Sequence, residues 1–436
     1  MNFTIEQVIE LAADDSSVQA GKKLAAAKHW RELGQSPAAL WGLCQGSAVY
    51  QVKIDLSSLG YHCSCPSRKF PCKHSLALLM LGATAGDSIA RGEPPQWVGD
   101  WLARRQEKAV KKAEKQADAA AAPVDEKAQA RRAEKRTTQV RDGLDRLDLW
   151  LRDQVRQGLV GLETKPPAFW DEQAKRLVDA QAPGLASRVA RLATIPGAGR
   201  DWPERLLGEF GRIKLLLHAF GRLEQLEAPL QSDVRQMIGW NVGQDEIERT
   251  GERVEDAWVV VGQWTDDEDR VRAQRSWLVG RESRRMALVL QFSAAAQPFA
   301  ESILPGSEQR STLAFYPGAA RQRAKIIQRS GEVAQLSERP PGSATIDEFL
   351  ETISEDVARQ PWLSTFGAVL HDVTLAPGDE GWFVLDRVGH ALPLVRREFW
   401  KALALSGGHP CDLTGEWDGH ALRPLSMIVE GALRTL

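Results

Sequence analysis

The chain has 436 residues, 43 % of them hydrophobic and 26 % charged, with a net charge of −2. Such a balance suits a globular protein of about three domains with real cores, and it excludes a uniformly basic surface that would draw in polyanions everywhere. No run of about 18 apolar residues predicts a membrane span, and the start of the chain lacks the basic-then-apolar order of a signal peptide. Five cysteines in no disulfide ladder suit a reducing compartment, so a cytoplasmic location is expected.

Thr4 followed by Gln7 reads as a capping box that opens a short helix to Leu11. Residues 20–36 lead into two predicted strands, 39–43 and 48–56, with the turn at Gln45, Gly46 and Ser47. Tyr50, Val52, Ile54 and Leu56 alternate with Val49, Gln51, Lys53 and Asp55, giving one apolar face. The segment Tyr61–Leu76 then carries Cys63, Cys65, Cys72 and His74: Cys-x-Cys, six residues, Cys-x-His. Three thiolates and one imidazole form a complete tetrahedral set, and soft sulfur with imidazole selects zinc over the oxygen-loving cations. A filled shell leaves no position for a reacting water, so one structural Zn²⁺ is expected rather than zinc catalysis. Cys63 and Cys65 share a face if the chain is extended. Pro66 and Pro71 stiffen the loop, and the apolar run 75–82 predicts a helix with Gly82 as its C′ residue. His62 points away from its neighbour Cys63 and reads as an exposed loop residue; Cys44 and Cys411 read as small buried hydrophobes.

This constellation resembles the SWIM zinc finger, whose pattern is Cys-x-Cys, a variable gap and Cys-x-His. All four positions match, with the hairpin before and the helix after, over about residues 37–82, and the phrase Ser64–His74 is similar to a bacterial subgroup. Weaker likeness to that subgroup lies at 179–186, 314–318 and 415–419. The resemblance implies a small ββα module associated with DNA binding or with protein contacts. Bacterial relatives occur beside genes for AAA ATPases and von Willebrand A-type proteins, so it also implies protein partners of those kinds.

Beyond the finger, Glu93–Trp97 breaks the chain, and a short helix around Trp97–Arg104 is expected to pack back. Residues 104–141 hold twelve Lys or Arg against six Asp or Glu and almost no large apolar residue. Such a stretch cannot bury a core; it is a linker, disordered or a solvated helix, and reads as a charged spacer rather than a nucleic-acid arm because the acids are interspersed.

A helical block follows. Val140, Leu144, Leu147, Leu151, Val155 and Leu159 keep helical spacing. Trp170, Leu177 and Val178 sit on a second segment after Pro166 and Pro167; Leu185, Val189 and Leu192 continue after Pro183 and Gly184. Asp201, Trp202 and Pro203 start another helix, striped by Leu206, Phe210, Ile213, Leu217 and Phe220 and leaving His218 at the surface.

From about residue 251 the period changes to two. Strands are predicted at 258–264, 276–280, 286–292, 312–316, 324–329, 382–386 and 391–394, helices at 345–358 and 396–405, a solvated turn at the acidic run 266–269, and a hairpin turn at Asp418 and Gly419. Two small barrels or sandwiches are the expected form.

The fold class is therefore α+β multidomain: residues 1–103 with the zinc finger, the linker 104–141, a helical domain 142–250, and an antiparallel β-rich region 251–436 with short helices. No phosphate-binding loop, nucleotide-binding glycine fingerprint, metalloprotease motif or nucleophile elbow occurs; His371, Asp372 and His390 lie among strands without a recognised catalytic pattern. A non-enzymatic interaction scaffold is expected. The alternative is DNA binding through the basic and aromatic surface of Arg68, Lys69, Phe70 and Lys73, with Phe70 or Tyr61 as an apolar or stacking contact.

Overall fold

The computed structural model describes residues 4–436 apart from 13, 47, 68, 108–125, 269–270, 295–296, 298 and 380. The expected capping box opens α1 (Ile5–Glu10), where the Thr4 hydroxyl accepts from Gln7 N and the Gln7 side chain accepts from Thr4 N. A second helix, α2 (Asp15–Leu24), starts at Asp14, whose carboxylate caps Ser17 N at 2.8 Å. An antiparallel sheet follows in chain order, β1 (Trp30–Gln35), β2 (Ala39–Gln45), β3 (Val49–Asp55) and β4 (Gly60–Cys63).

The hairpin expected from the alternation is β2–β3, in continuous register from Ala39 opposite Asp55 to Gln45 opposite Val49. β1 breaks its own alternation: its pairing with β2 slips between Arg31 and Gly34, and Glu32 lies at φ 47°.

The finger helix α3 (Lys73–Ala85) corrects one expectation. It runs through Gly82, which is buried mid-helix, and Leu76, Ala77, Leu78, Leu79, Met80 and Leu81 are all buried. A helix apolar all round needs cover on every side. Here α1, α2 and the sheet supply Val8, Val18, Leu40, Val52 and Ile54, and the β-rich region adds Leu304 and Val333. Residues 96–107 are helical and do pack back: Lys53 Nζ donates to Trp97 O at 3.0 Å, and Arg105 pairs with Asp55 at 3.4 Å. We number this helix α4.

The helical region comprises α5 (Glu126–Gln157), α6 (Pro167–Asp179), α7 (Pro183–Arg191), α8 (Trp202–Gly221), α9 (Ala228–Ile238) and α10 (Gln244–Thr250). Residues 126–141 of the charged stretch are thus part of one long helix with the bundle's first core stripe, while 108–125 lie outside the described residues. The bundle core contains Val140, Leu144, Leu147, Leu151, Trp170, Leu177, Leu185, Val189, Leu192, Leu206, Phe210, Ile213, Leu217 and Phe220. Val155 and Val178 are exposed instead, at 47 % and 53 %. At 3.6 residues per turn the stripe after Leu151 passes through Gln154, which is buried, and turns Val155 outward. His218 is exposed, as expected.

The β-rich region is one closed barrel and one open sheet rather than two barrels or sandwiches. The barrel runs β5 (Glu252–Glu268), β6 (Val271–Gly280), β7 (Met286–Ala294), β9 (Arg323–Gln335), β8 (Ser307–Phe315) around its circumference. Closure comes from a short parallel pairing of Leu288 and Val289 with Arg323 and Ala324. The acidic run expected as a turn at 266–269 instead continues β5 through Glu268, with Asp266, Asp267 and Glu268 paired to Ala273, Arg272 and Val271 of β6; Asp269 lies outside the described residues.

After α11 (Ile346–Arg359), the sheet uses β10 (Phe366–Gly378), β11 (Gly381–Leu385), β12 (Ala391–Pro393), β13 (Cys411–Trp417), β14 (Leu422–Val429) and β15 (Ala432–Thr435). Its order is β12-β11-β10-β13-β14-β15, with α12 (Trp400–Ser406) inserted before β13. The expected turn is there: Gly419 has φ 93°, and Asp418 Oδ1 accepts from His420 N and Ala421 N.

The unbroken apolar run of β5 has a simple cause. Trp258 and Val260 join the barrel core, while Val259 and Val261 join Trp277, Val369 and Leu425 in the layer between barrel and sheet. Glu416 on β13 locks that layer, accepting from Arg275 Nε at 2.8 Å and Trp277 Nε1 at 2.7 Å. No helix among the described residues is long and apolar enough to cross a membrane.

Candidate metal centre

Cys63 is the last residue of β4, so the sheet fixes it; Val52 on β3 is its paired neighbour. Cys65 follows in the turn, and Cys72 is the N-cap of α3, with His74 in the first helical turn. Their ligand atoms all lie within 4.8 Å of one another, with His74 Nδ1 3.7 Å from Cys63 Sγ and 4.0 Å from Cys72 Sγ. A tetrahedron around an ion bound by sulfur at about 2.3 Å and nitrogen at about 2.0–2.1 Å has edges of about 3.5–3.8 Å, so small side-chain shifts would bring the four atoms onto one ion. Donor chemistry and spacing agree, and the four residues are positioned to bind one zinc ion. Cys72 and His74 are buried, Cys63 and Cys65 partly so.

The electrostatics describe a site in need of a cation. The adjoining Cys63 thiol, helped by His74 and Ser75, holds the Cys72 thiol down at about 3, while the Cys63 thiol itself is pushed up by Cys72 and by burial. Burial also pushes up Cys65. One thiolate is thus favoured and a second resisted, because like charges in a half-dry pocket repel. A bound dication reverses that and lets all three sulfurs ionise.

Around the ligands, Ser75 Oγ sits 3.5 Å from Cys72 Sγ, and the Tyr50 ring lies 4.8 Å from the His74 ring at 34°. Neither residue carries a sequence signature, since both contacts depend on how β3 and α3 meet. Cys44 is fully buried on β2, and burial raises its thiol to about 11. Cys411 is buried too, raised to about 11 by the same cause. Both are placed as expected. His62 is exposed as expected, but on β4 rather than a loop.

The candidate contact residues are not one free patch. Lys69 is engaged: its Nζ lies 2.7 Å from Asp14 Oδ2 and 2.9 Å from Ser16 Oγ at the start of α2. Phe70 is 46 % exposed and leans on Tyr61, with ring centroids 5.0 Å apart. Tyr61 itself is buried enough to push its phenol up to about 12. Lys73 is exposed and has no ion pair among the described residues, and Arg68 lies outside them. The Asp14 cap could have been read from the sequence as a helix start; that it would capture Lys69 could not.

The β-region histidines do not form a catalytic pair with Asp372. His371 Nε2 lies 3.0 Å from Pro340 O, Asp372 pairs with Arg339 at 2.9 Å, and His390 Nδ1 sits 3.2 Å from Asp347.

Residues 50–81 match the family model of the SWIM zinc finger, and residues 135–238 match that of the SWIM-associated four-helix bundle domain. The first spans β3, β4, the four ligands and most of α3; the second ends with α9. The finger recognised from its ligand spacing is therefore borne out. Comparison with curated proteins and with solved structures gives no match.

Proposed function

We propose that this SWIM-finger protein is a non-enzymatic scaffold whose zinc module holds a protein-binding surface. The observation that carries this reading is the state of the finger loop. Lys69 is taken up by Asp14 and Ser16, which leaves Lys73, the first residue of α3, as the unpaired cation of this segment among the described residues, while Phe70 stands half-exposed in the loop before it. One free lysine among the described residues is a weak footprint for a phosphate backbone, and an exposed aromatic ring is a better match to a protein interface, where aromatic anchors dominate. The closed Cys₃His set supports the non-enzymatic part, because bound metal would have no open coordination position. The zinc would be held by Cys63, Cys65, Cys72 and His74 and would fasten β4 to the start of α3. A partner of the AAA ATPase or von Willebrand A type belongs to the same proposal.

DNA binding through the finger is the competing reading. Titration of fluorescent single- and double-stranded DNA with the zinc-loaded protein across a salt series tests it. Weak binding that is insensitive to Lys73→Ala, together with a co-purifying protein lost on Phe70→Ala, is the expected result. Nanomolar DNA affinity with a steep salt slope that flattens in Lys73→Ala would replace the scaffold reading by the nucleic-acid one.

A further inference from the structure

A cavity of about 670 Å³ opens where the helical bundle meets the barrel and the sheet. Its size is that of a small-molecule site, and its lining is unusual in charge: seven arginines and no lysine against three carboxylates. The carboxylates are already occupied or weakened. Glu209 is shared by Arg188 at 3.2 Å and Arg212 at 2.7 Å. Asp418 caps its own hairpin turn. Asp233 is buried and receives Ala319 N at 2.8 Å.

Three arginines are left without a carboxylate among the described residues. Arg191 closes α7; Arg205 on α8 donates only to Ala198 O at 3.2 Å; Arg323 opens β9 with its guanidinium 4.3 Å from the Tyr316 ring centroid. Uncompensated guanidiniums converging on one cleft ask for an anion of at least two charges, and their planar fork suits phosphoryl oxygens.

We propose that this cleft binds a small polyphosphate-bearing molecule, with Arg191, Arg205 and Arg323 on the phosphates. The site is separate from the zinc finger, so the proposal does not depend on what the finger contacts.

The test is calorimetric titration of the full-length, zinc-loaded protein with ATP, sodium tripolyphosphate and sodium sulfate at low ionic strength. ATP and tripolyphosphate are both expected to bind, and sulfate least. Arg205→Ala and Arg323→Ala should each weaken ATP by about tenfold or more with unchanged zinc content and melting temperature. The proposal fails if ATP shows no binding at millimolar concentration, if sulfate competes as well as ATP does, or if the arginine variants bind like the parent. A short single-stranded oligonucleotide that binds more tightly than ATP through the same arginines would also overturn it, making the cleft a nucleic-acid groove.

Discussion

The zinc cage and the arginine cleft solve opposite electrostatic problems by opposite constructions. The cage gathers three acidic thiols and an imidazole from twelve consecutive residues, Cys63 to His74, and waits for a cation. The cleft gathers guanidiniums from positions as far apart as Arg188 and Arg323, on two helices, two barrel strands and a loop, and waits for an anion. In the first, local chain geometry makes the site, so metal and fold are coupled within one module. In the second, the packing of finished domains makes the site, so a ligand would join the bundle to the barrel without being needed to fold either. Each half of that contrast can be broken by experiment.

The largest effect belongs to the cage. Structural zinc contributes an apparent 10–16 kcal/mol or so in modules of this kind, and Cys72 is both ligand and helix N-cap. Cys72→Ser is expected to abolish stoichiometric zinc and to open residues 57–75 to protease, while the bundle and the sheet stay resistant. The finger shares Leu304 and Val333 with the barrel, and Gln309 and Arg329 donate to Ser57 O and Ser58 O, so some loosening should reach that edge of the barrel. Metal content of one ion per chain and an unaltered cleavage map in the variant would show that the cage does not organise the module.

The next effect tests whether interdomain packing holds without any ligand. Glu416→Ala removes the acceptor for Arg275 and Trp277 at the barrel–sheet layer and leaves a guanidinium and an indole N–H facing a gap. Stripping one partner from such a half-dry pair costs about 3–5 kcal/mol. Chemical denaturation should show a loss of that order, with zinc retained. A loss below about 1 kcal/mol would mean that the apolar layer alone carries the junction.

How far each region could be read from the sequence follows from the same contrast. Cys63, Cys65, Cys72 and His74 announce their chemistry by spacing alone, and the β2–β3 alternation was clean enough to place the hairpin. α3 outran its expected stop because Gly82 lies in a fully covered helix, where packing overrides the usual signal. β1 escaped notice because a bulge and the positive φ of Glu32 disturb its period. The barrel strands were legible one by one, but not their closure, which rests on two residue pairs between β7 and β9. Nothing local distinguishes Arg191, Arg205 or Arg323 from other surface arginines; only the docking of bundle on barrel brings them to one cavity. For the same reason Lys69 read as a free cation until the fold put Asp14 beside it.

The smallest effect probes the wall of the cleft itself. Burial raises the Asp233 carboxyl from its ordinary 3.8 to about 6, against the lowering influence of the Ala319 N–H. A carboxyl with a higher pKa in the folded state binds its proton more tightly there than when unfolded. Its contribution therefore favours folding fully below about pH 4 and is lost as pH rises through 6, a change of about 3 kcal/mol at most. Asp233→Asn keeps an oxygen to accept from Ala319 N and removes the titration. The variant should match the parent near pH 4 and exceed it in stability at pH 7, flattening the pH profile between those values. The Gly318 Cα faces Asp233 closely, since a Cβ there would come within 2.5 Å of Oδ1, so the amide must fit the same slot. If the two proteins keep parallel profiles from pH 4 to 7, Asp233 is already paired with one of the cleft arginines in solution. Its charge would then have to be counted against the anion that the cleft is proposed to take.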